Sequence, residues 1–329
     1  MSKPAFLITI DTEGDNLWQN HDRITTENTH YLPRFQALCE KYGFKPVYLT
    51  NYEMAMDAEY VAFARDVIAR NQGEVGMHLH AWNSPPIVAL TDDDWRHKPY
   101  LIEYPADQIR AKVDHMTKLL EDAFQTKMRS HRAGRWAFNE YYASLLLEYG
   151  YQVDCSVTPR VNWRFSPGDP AGQGGSDYRH FPDAAYFIDP HNIARAGNST
   201  LLEVPMSIQY KHSGLMNSIK QGYDALRGKR RSPSVHWLRP SGGNVATMKS
   251  VVERTLAAGS DYVEFMLHSS EFMPGGSPTF KNQEEIEGLY RDLEALFSWL
   301  SERTRGMTLA EYYDATLAKQ ASGSKAAVN

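Results

Sequence analysis

The chain has 329 residues, 42% hydrophobic and 23% charged, with a formal net charge of −5. That length is about two average domains or one α/β barrel, and the composition excludes a mainly disordered chain. The negative balance gives no basic field for nucleic acid or an anionic membrane. The only cysteines, Cys39 and Cys155, fit two buried thiols in a reducing compartment better than a disulfide scaffold.

Taken in chain order, residues 6–10 read as a first buried strand that ends in Asp11. This apolar run is shorter than the roughly 7–15 residues of an export-signal core. No window approaches the ~20 apolar residues of a membrane span, so the reading is a cytoplasmic protein. Residues 33–42 predict a helix closed by Gly43, and 46–49 a second strand. Residues 57–71 predict a helix with Tyr60, Phe63, Ala64, Val67 and Ile68 on one face, followed by a third strand over 74–80. A helix over 108–125 carries Ile109, Val113, Met116, Leu120 and Phe124 at helical spacing. A short strand near Ser130, a helix over 139–148 and short strands over 153–155 and 201–204 follow, and 263–267 is the last strand. Ile286, Leu289, Leu293, Leu296, Phe297 and Leu300 form a helical stripe suited to core packing. Residues 1–315 read as one domain, with 316–329 as a flexible tail.

Strands separated by helices of this length imply parallel pairing through right-handed crossovers. Neither Gly-x-Gly-x-x-Gly nor a phosphate-binding loop follows an early strand, which favours a barrel over an open nucleotide-binding sheet. Two segments interrupt the alternation, near 158–196 and 226–243. The first has the length of a lid or a small insertion. The second contains Arg227, Lys229, Arg230, Arg231 and Arg239. It reads either as a solvated loop or as a grip on a phosphate-bearing substrate.

Four strand ends carry polar residues that a core strand would not choose. Asp11-Thr12-Glu13 places two carboxylates at i and i+2, on one face if the strand continues. His78-Leu79-His80 places two histidines in the same way, which suits a divalent metal. Arg132-Ala133-Gly134-Arg135 puts two arginines around a glycine, a pattern able to hold a carboxylate, and His268 follows the last strand. Barrel enzymes build their sites at this end of their strands.

The order of these motifs resembles that of the polysaccharide deacetylases, the NodB-homology or carbohydrate esterase 4 group, over about residues 6–272. The flanking phrases Gly43-Phe44-Lys45-Pro46, Gly73-Glu74-Val75-Gly76 and Gly150-Tyr151-Gln152-Val153-Asp154 belong to the resemblance. It implies an α/β fold, a deformed (β/α)7-type barrel of parallel strands with inserted loops. It also implies metal-dependent hydrolysis of an N-acyl group, usually N-acetyl, on an amino sugar. Carried over residue by residue, Asp11 takes the place of the general base, Arg132 that of the arginine orienting it, and His268 that of the general acid. Glu13, His78 and His80 take the place of the metal ligands, for Zn²⁺ or alternatively Co²⁺ or Ni²⁺. The family usually has adjacent aspartates where Thr12 intervenes here, and histidines four apart where this chain has Trp82. Trp82 and Arg135 are expected to contact the substrate. Acid and base are expected on opposite sides of the scissile bond, with Asp154 as a candidate partner of His268.

The expected partner is a carbohydrate or other small molecule, such as a nucleotide- or lipid-linked sugar precursor. Two other readings remain open: hydrolysis of an amide or cyclic amide in a small nitrogen metabolite, and a catalytically inactive carbohydrate-binding protein.

Overall fold

Apolar residues on both faces of the first strand set the architecture. The computed structural model describes residues 3–211 and 234–326. In β1 (Ala5–Thr12) every residue is buried. Phe6, Ile8 and Ile10 pack with residues of the surrounding helices, whereas Ala5 and Leu7 join Val47, Leu49, Val153, Cys155, Leu202 and Val204 from other strands. One face of the strand therefore looks outward to helices and the other into a strand-lined interior.

The chain continues through α1 (Leu32–Lys41), β2 (Pro46–Thr50), the single turn α2 (Tyr52–Ala55), α3 (Ala58–Ala69) and β3 (Glu74–Leu79). The short α4 (Asp94–His97), α5 (Ala106–Phe124), β4 (Ser130–Ala133), α6 (Glu140–Glu148) and β5 (Val153–Asp154) follow. Next come β6 (Tyr186–Asp189), β7 (Asn192–Ala196), β8 (Leu202–Glu203), β9 (Ile208–Tyr210) and β10 (Val235–Trp237). The last elements are α7 (Val245–Ala257), β11 (Tyr262–His268), α8 (Gln283–Ser301), β12 (Arg305–Gly306) and α9 (Leu309–Ala326). Asp57 and Asn139, which open two of the expected helices, cap α3 and α6 by accepting from the Tyr60 and Tyr142 N–H groups.

The strands lie in the order β11-β1-β2-β3-β4-β5-β8-β6-β7, with β12 beside the start of β1. From β11 to β8 every pairing is parallel. Among the described residues the ladder is not continuous between β8 and β11. There Glu264 donates its N–H to Ser207 Oγ at 2.9 Å and Met266 donates to the Leu238 carbonyl at 3.4 Å. The result is the expected deformed barrel of parallel strands, curled rather than fully closed. Its interior is layered. Leu7, Val47, Leu49 and Val153 fill one end, against Met307, Leu309, Tyr312 and Tyr313 of the C-terminal segment. Polar side chains occupy the other end.

The structure departs from the sequence expectation in several places. Residues 186–196 form an antiparallel hairpin that extends the sheet through β8. Helix α7 was not expected. Residues 316–326, expected as a tail, continue α9. Of the second interrupting segment, Arg227, Lys229, Arg230 and Arg231 lie outside the described residues. Among the described residues no helix is long and apolar enough to cross a membrane. Cys39 and Cys155 are both buried free thiols.

Candidate functional site

Strand alternation aims the polar residues. Leu49 and Cys155 belong to the interior cluster, and on β3 Val75, Met77 and Leu79 pack outward with the helices. Gly76, His78 and His80 therefore face the interior. At Gly76 a Cβ would lie 2.6 Å from the Ser130 carbonyl, so this approach of strands tolerates no side chain. Asp11, Glu13, His78, His80, Trp82, Arg135 and His268 all line one cavity of about 380 Å³ at the C-terminal ends of the strands. Arg132 lies directly beneath, fully buried.

Glu13 Oε2 lies 3.0 Å from His80 Nε2 and 3.5 Å from His78 Nε2, and the two imidazole nitrogens are 2.9 Å apart. A tetrahedral ion with ligands at about 2.0–2.2 Å would hold its donors roughly 3.3 Å apart. The donor set therefore fits a divalent cation by spacing and by its mixture of N and O. His78 Nδ1 lies 2.9 Å from the Arg132 carbonyl, an acceptor that puts the proton there and leaves the Nε2 lone pair facing the cluster. Burial disfavours a charged His78, but the Asp11 and Glu13 carboxylates outweigh it and raise His78 above its ordinary value. His80 is lowered, first by burial. Burial pushes Glu13 up, yet His268, His78 and His80 together hold it well below the usual carboxylate range. Two carboxylates sharing so small a volume favour a positive charge between them.

Arg132 donates to Asp11 Oδ1 at 2.6 Å, to Thr9 Oγ1 at 2.7 Å, to Glu264 Oε1 at 2.5 Å and to the Cys155 carbonyl at 3.2 Å. Burial pushes Asp11 up, but Arg132, then His78 and His268, outweigh it and leave its carboxyl lowered. Asp11 and His268 are register partners across β1 and β11, with Oδ2 3.9 Å from Nε2. Base and acid candidates thus stand side by side on neighbouring strands at the cavity floor.

The partner of His268 is not Asp154. Asp154 alternates with the inward Val153 and Cys155, so it points out of the barrel. There its carboxylate meets His131 Nδ1 at 2.6 Å and accepts from Ser156. Glu271, three residues beyond His268, takes the expected place. Its Oε2 accepts the His268 N–H at 3.0 Å, lies 3.0 Å from His268 Nδ1 and accepts from Arg239 at 2.8 Å. Burial raises Glu271, but Arg239 and His268 overcome it and lower the carboxyl to about 2. The i, i+3 spacing from His268 to Glu271, that of a capping box, is the sequence signal that could have identified it.

Sequence reasoning also missed what holds the loops. Glu53 accepts from the Gly14 N–H at 2.8 Å and from Asn83 Nδ2 at 2.9 Å, tying the loop after β1 to the loop after β3. Burial pushes its carboxyl up to about 7. Asp15 organises the same loop by accepting from Thr25 Oγ1 and from the Glu27 and Asn28 N–H groups. The cavity walls are aromatic: Trp18, Trp95, Trp136 and Trp163 join Trp82. After Gly134, Arg135 (φ 52°) and Trp136 (φ 60°) are both left-handed. For non-glycine residues this costs about 1–2 kcal/mol each.

No family model matches the chain, and no curated protein matches it in sequence. In fold it is similar to a "putative polysaccharide deacetylase" from Mycobacterium smegmatis, at 14% identity over 97% of this chain and 92% of that one, TM-score 0.56. It is also similar to a "putative glycoside hydrolase/deacetylase" from Parabacteroides distasonis, at 9% identity over 95% and 71% of the two chains, TM-score 0.62. A 4-alpha-glucanotransferase from Thermococcus litoralis matches at 14% identity over 95% of this chain but only 40% of its own, TM-score 0.51. At these identities the likeness is one of fold, and the fold is that of polysaccharide-deacetylase barrels, the group that the order of motifs resembles.

Proposed function

We propose that the chain is a divalent-metal-dependent hydrolase that removes an N-acyl group, N-acetyl in the first instance, from an amino sugar. The observation behind this is the convergence of Glu13, His78 and His80 beside an arginine-held Asp11 and a carboxylate-held His268 in one cavity. Glu13, His78 and His80 would hold the metal, with zinc the first choice for a mixed N and O donor set. When bound, such an ion polarises an acyl oxygen and makes water more acidic.

The remaining steps belong to the protein's own groups. Arg132 occupies Asp11 Oδ1, which leaves Oδ2 to accept a proton from the attacking water as its oxygen bonds to the acyl carbon. Glu271 engages His268 Nδ1, so Nε2 faces the cavity. As the C–N bond breaks, Nε2 of protonated His268 gives its proton to the departing nitrogen, and the products are a carboxylic acid and a free amine. The tryptophan walls offer apolar faces to a sugar ring, and the volume falls within the roughly 300–1,000 Å³ of small-ligand pockets. The two buried thiols support a reducing, cytoplasmic setting.

Metal analysis of the purified protein together with acetate release tests this reading. Wild type should hold one divalent ion per chain and His78→Ala should lose it. Acetate should be released from N-acetylated sugars and not from small ureides. Equal metal occupancy in the two proteins would overturn the ligand assignment. Turnover of ureides alone would move the activity to small nitrogen metabolites, and sugar binding without turnover would leave a binding protein.

A further inference from the structure

Among the described residues three guanidinium groups stand at the cavity, and their counter-charges differ. Arg132 is matched by Asp11 and Glu264, and Arg239 by Glu271. Among the described residues no carboxylate lies within ion-pair distance of Arg135, whose guanidinium sits 5.7 Å from the centre of the Trp95 ring. Burial holds Arg135 below the usual guanidinium value, as expected of a cation that gave up water without gaining a full counter-charge. Its place is fixed from the backbone. Gly134 packs so tightly that a Cβ there would lie 2.5 Å from the Leu79 carbonyl and 3.0 Å from His80 Cα. The two left-handed residues that follow then turn Arg135 and Trp136 into the cavity wall. Strained backbone that presents a guanidinium with no ion-pair partner among the described residues, offset only in part by Tyr100 and Glu13, beside a candidate metal centre is a feature that packing alone does not require.

We propose that Arg135 is an anion receptor, so that the molecule taken by this cavity carries a carboxylate or phosphate group beside the His80 edge of the site. The inference rests on the cavity's being the substrate site of the proposed deacylase. It narrows the substrate class to N-acylated amino sugars bearing an acidic substituent. A guanidinium pairs with either oxyanion through two parallel N–H donors, and the aromatic surroundings strengthen that pairing by excluding water.

Five tryptophans line the cavity, Trp18, Trp82, Trp95, Trp136 and Trp163, so intrinsic fluorescence reports binding without turnover. The metal-loaded full chain is titrated with N-acetylglucosamine, with N-acetylmuramic acid as the carboxylate probe and with N-acetylglucosamine 6-phosphate as the phosphate probe. Wild type should bind at least one acidic sugar about tenfold or more tighter than the neutral one, the scale of a charge-assisted hydrogen bond. Which acid is preferred identifies the anion. Arg135→Asn removes the charge with a residue that tolerates left-handed backbone, and should bring the ratio of affinities near one. Arg135→Lys should keep part of the preference. The ratio is the readout, so a general loss of affinity does not mimic the result. Equal affinities in wild type, a preference that survives in Arg135→Asn, or no response to either acid overturns the proposal. Acetate release measured on the same samples separates the two readings. Turnover without acidic preference removes the anion receptor alone. Arg135-dependent acidic binding with no acetate released removes the deacylase alone.

Discussion

Replacing Arg132 by leucine would leave two carboxylates inside the barrel with no cation between them. Arg132 is fully buried and donates to Asp11 at 2.6 Å and to Glu264 at 2.5 Å. Removing one partner of a buried ion pair costs about 3–5 kcal/mol, because the other charge stays desolvated. Against a total of roughly 5–15 kcal/mol the variant should still fold but melt well below wild type. The loss should depend on pH, in a direction set by the two carboxyls. In wild type Asp11 is lowered from 3.8, because Arg132, His78 and His268 outweigh its burial. Its contribution is therefore present above that value and lost as pH falls below it. Glu264 is raised from 4.5 to about 7, because burial outweighs Arg132. Its contribution is full below 4.5 and lost as pH rises through about 7. Without Arg132 both carboxyls are raised, so the gap between variant and wild type should widen as pH climbs from about 5 to 8. Urea and thermal midpoints at intervals across that range measure it. A gap that stays constant with pH would mean that Arg132 acts by packing alone, and would refute the charge argument. Adding Asp11→Asn and Glu264→Gln to Arg132→Leu should recover much of the stability, since removing all the charges of a buried network is far milder than removing one.

Three further substitutions test the proposed chemistry. Glu271→Gln keeps the side-chain shape but removes the charge facing His268 Nδ1 and Arg239, so amide turnover should fall on the order of tenfold or more, the worth of one charge-assisted hydrogen bond. Undiminished turnover would separate Glu271 from the reaction. Asp11→Asn and His268→Ala should each lose about 10²–10⁴-fold on an N-acetyl substrate. On an activated ester, whose leaving group needs no proton, His268→Ala should recover much of its rate and Asp11→Asn should stay slow. Equal impairment on ester and amide would mean that His268 holds substrate or metal instead.

The elements legible in the sequence were those whose signals are local. Residues 57–71 announce a helix because Tyr60, Phe63, Ala64, Val67 and Ile68 recur at helical spacing within one segment. Residues 6–10 announce a strand because apolar residues occupy both of its faces. Two of the four polar strand ends were legible because alternation converts i, i+2 spacing into a shared face, the other two because a polar group follows an apolar strand, and the structure gathers residues of all four around one cavity. What was not legible depends on distant partners. Glu53 earns its position only because the loops after β1 and β3 meet over it. The hairpin at 186–196 exists because β8 offers it an edge, a contact the local sequence does not encode. The tryptophan walls come from segments that carry no periodicity.

The same alternation decides which of two histidine–acid pairs faces the cavity. His131 with Asp154, at 2.6 Å, is the shorter pair, and Tyr142 Oη completes it at 2.7 Å from Nε2. By distance alone it would be the better candidate for proton transfer. Yet both residues are wholly buried on the outer face of the sheet, where α6 supplies Tyr142, and neither lines the cavity. Their network has both imidazole nitrogens and the acid already satisfied, as a structural polar cluster requires. His268 and Glu271 are 3.0 Å apart, but Nε2 is turned into the cavity, 3.9 Å from both Asp11 and Glu13. A proton-transfer group needs one position left for the substrate, and only the inward pair has it. A one-residue change of register in β4 and β5 would exchange the roles of Arg132 and His131 and destroy the site. The bonds from Arg132 to Asp11, Thr9 and Glu264 therefore hold that register as well as the charge of Asp11.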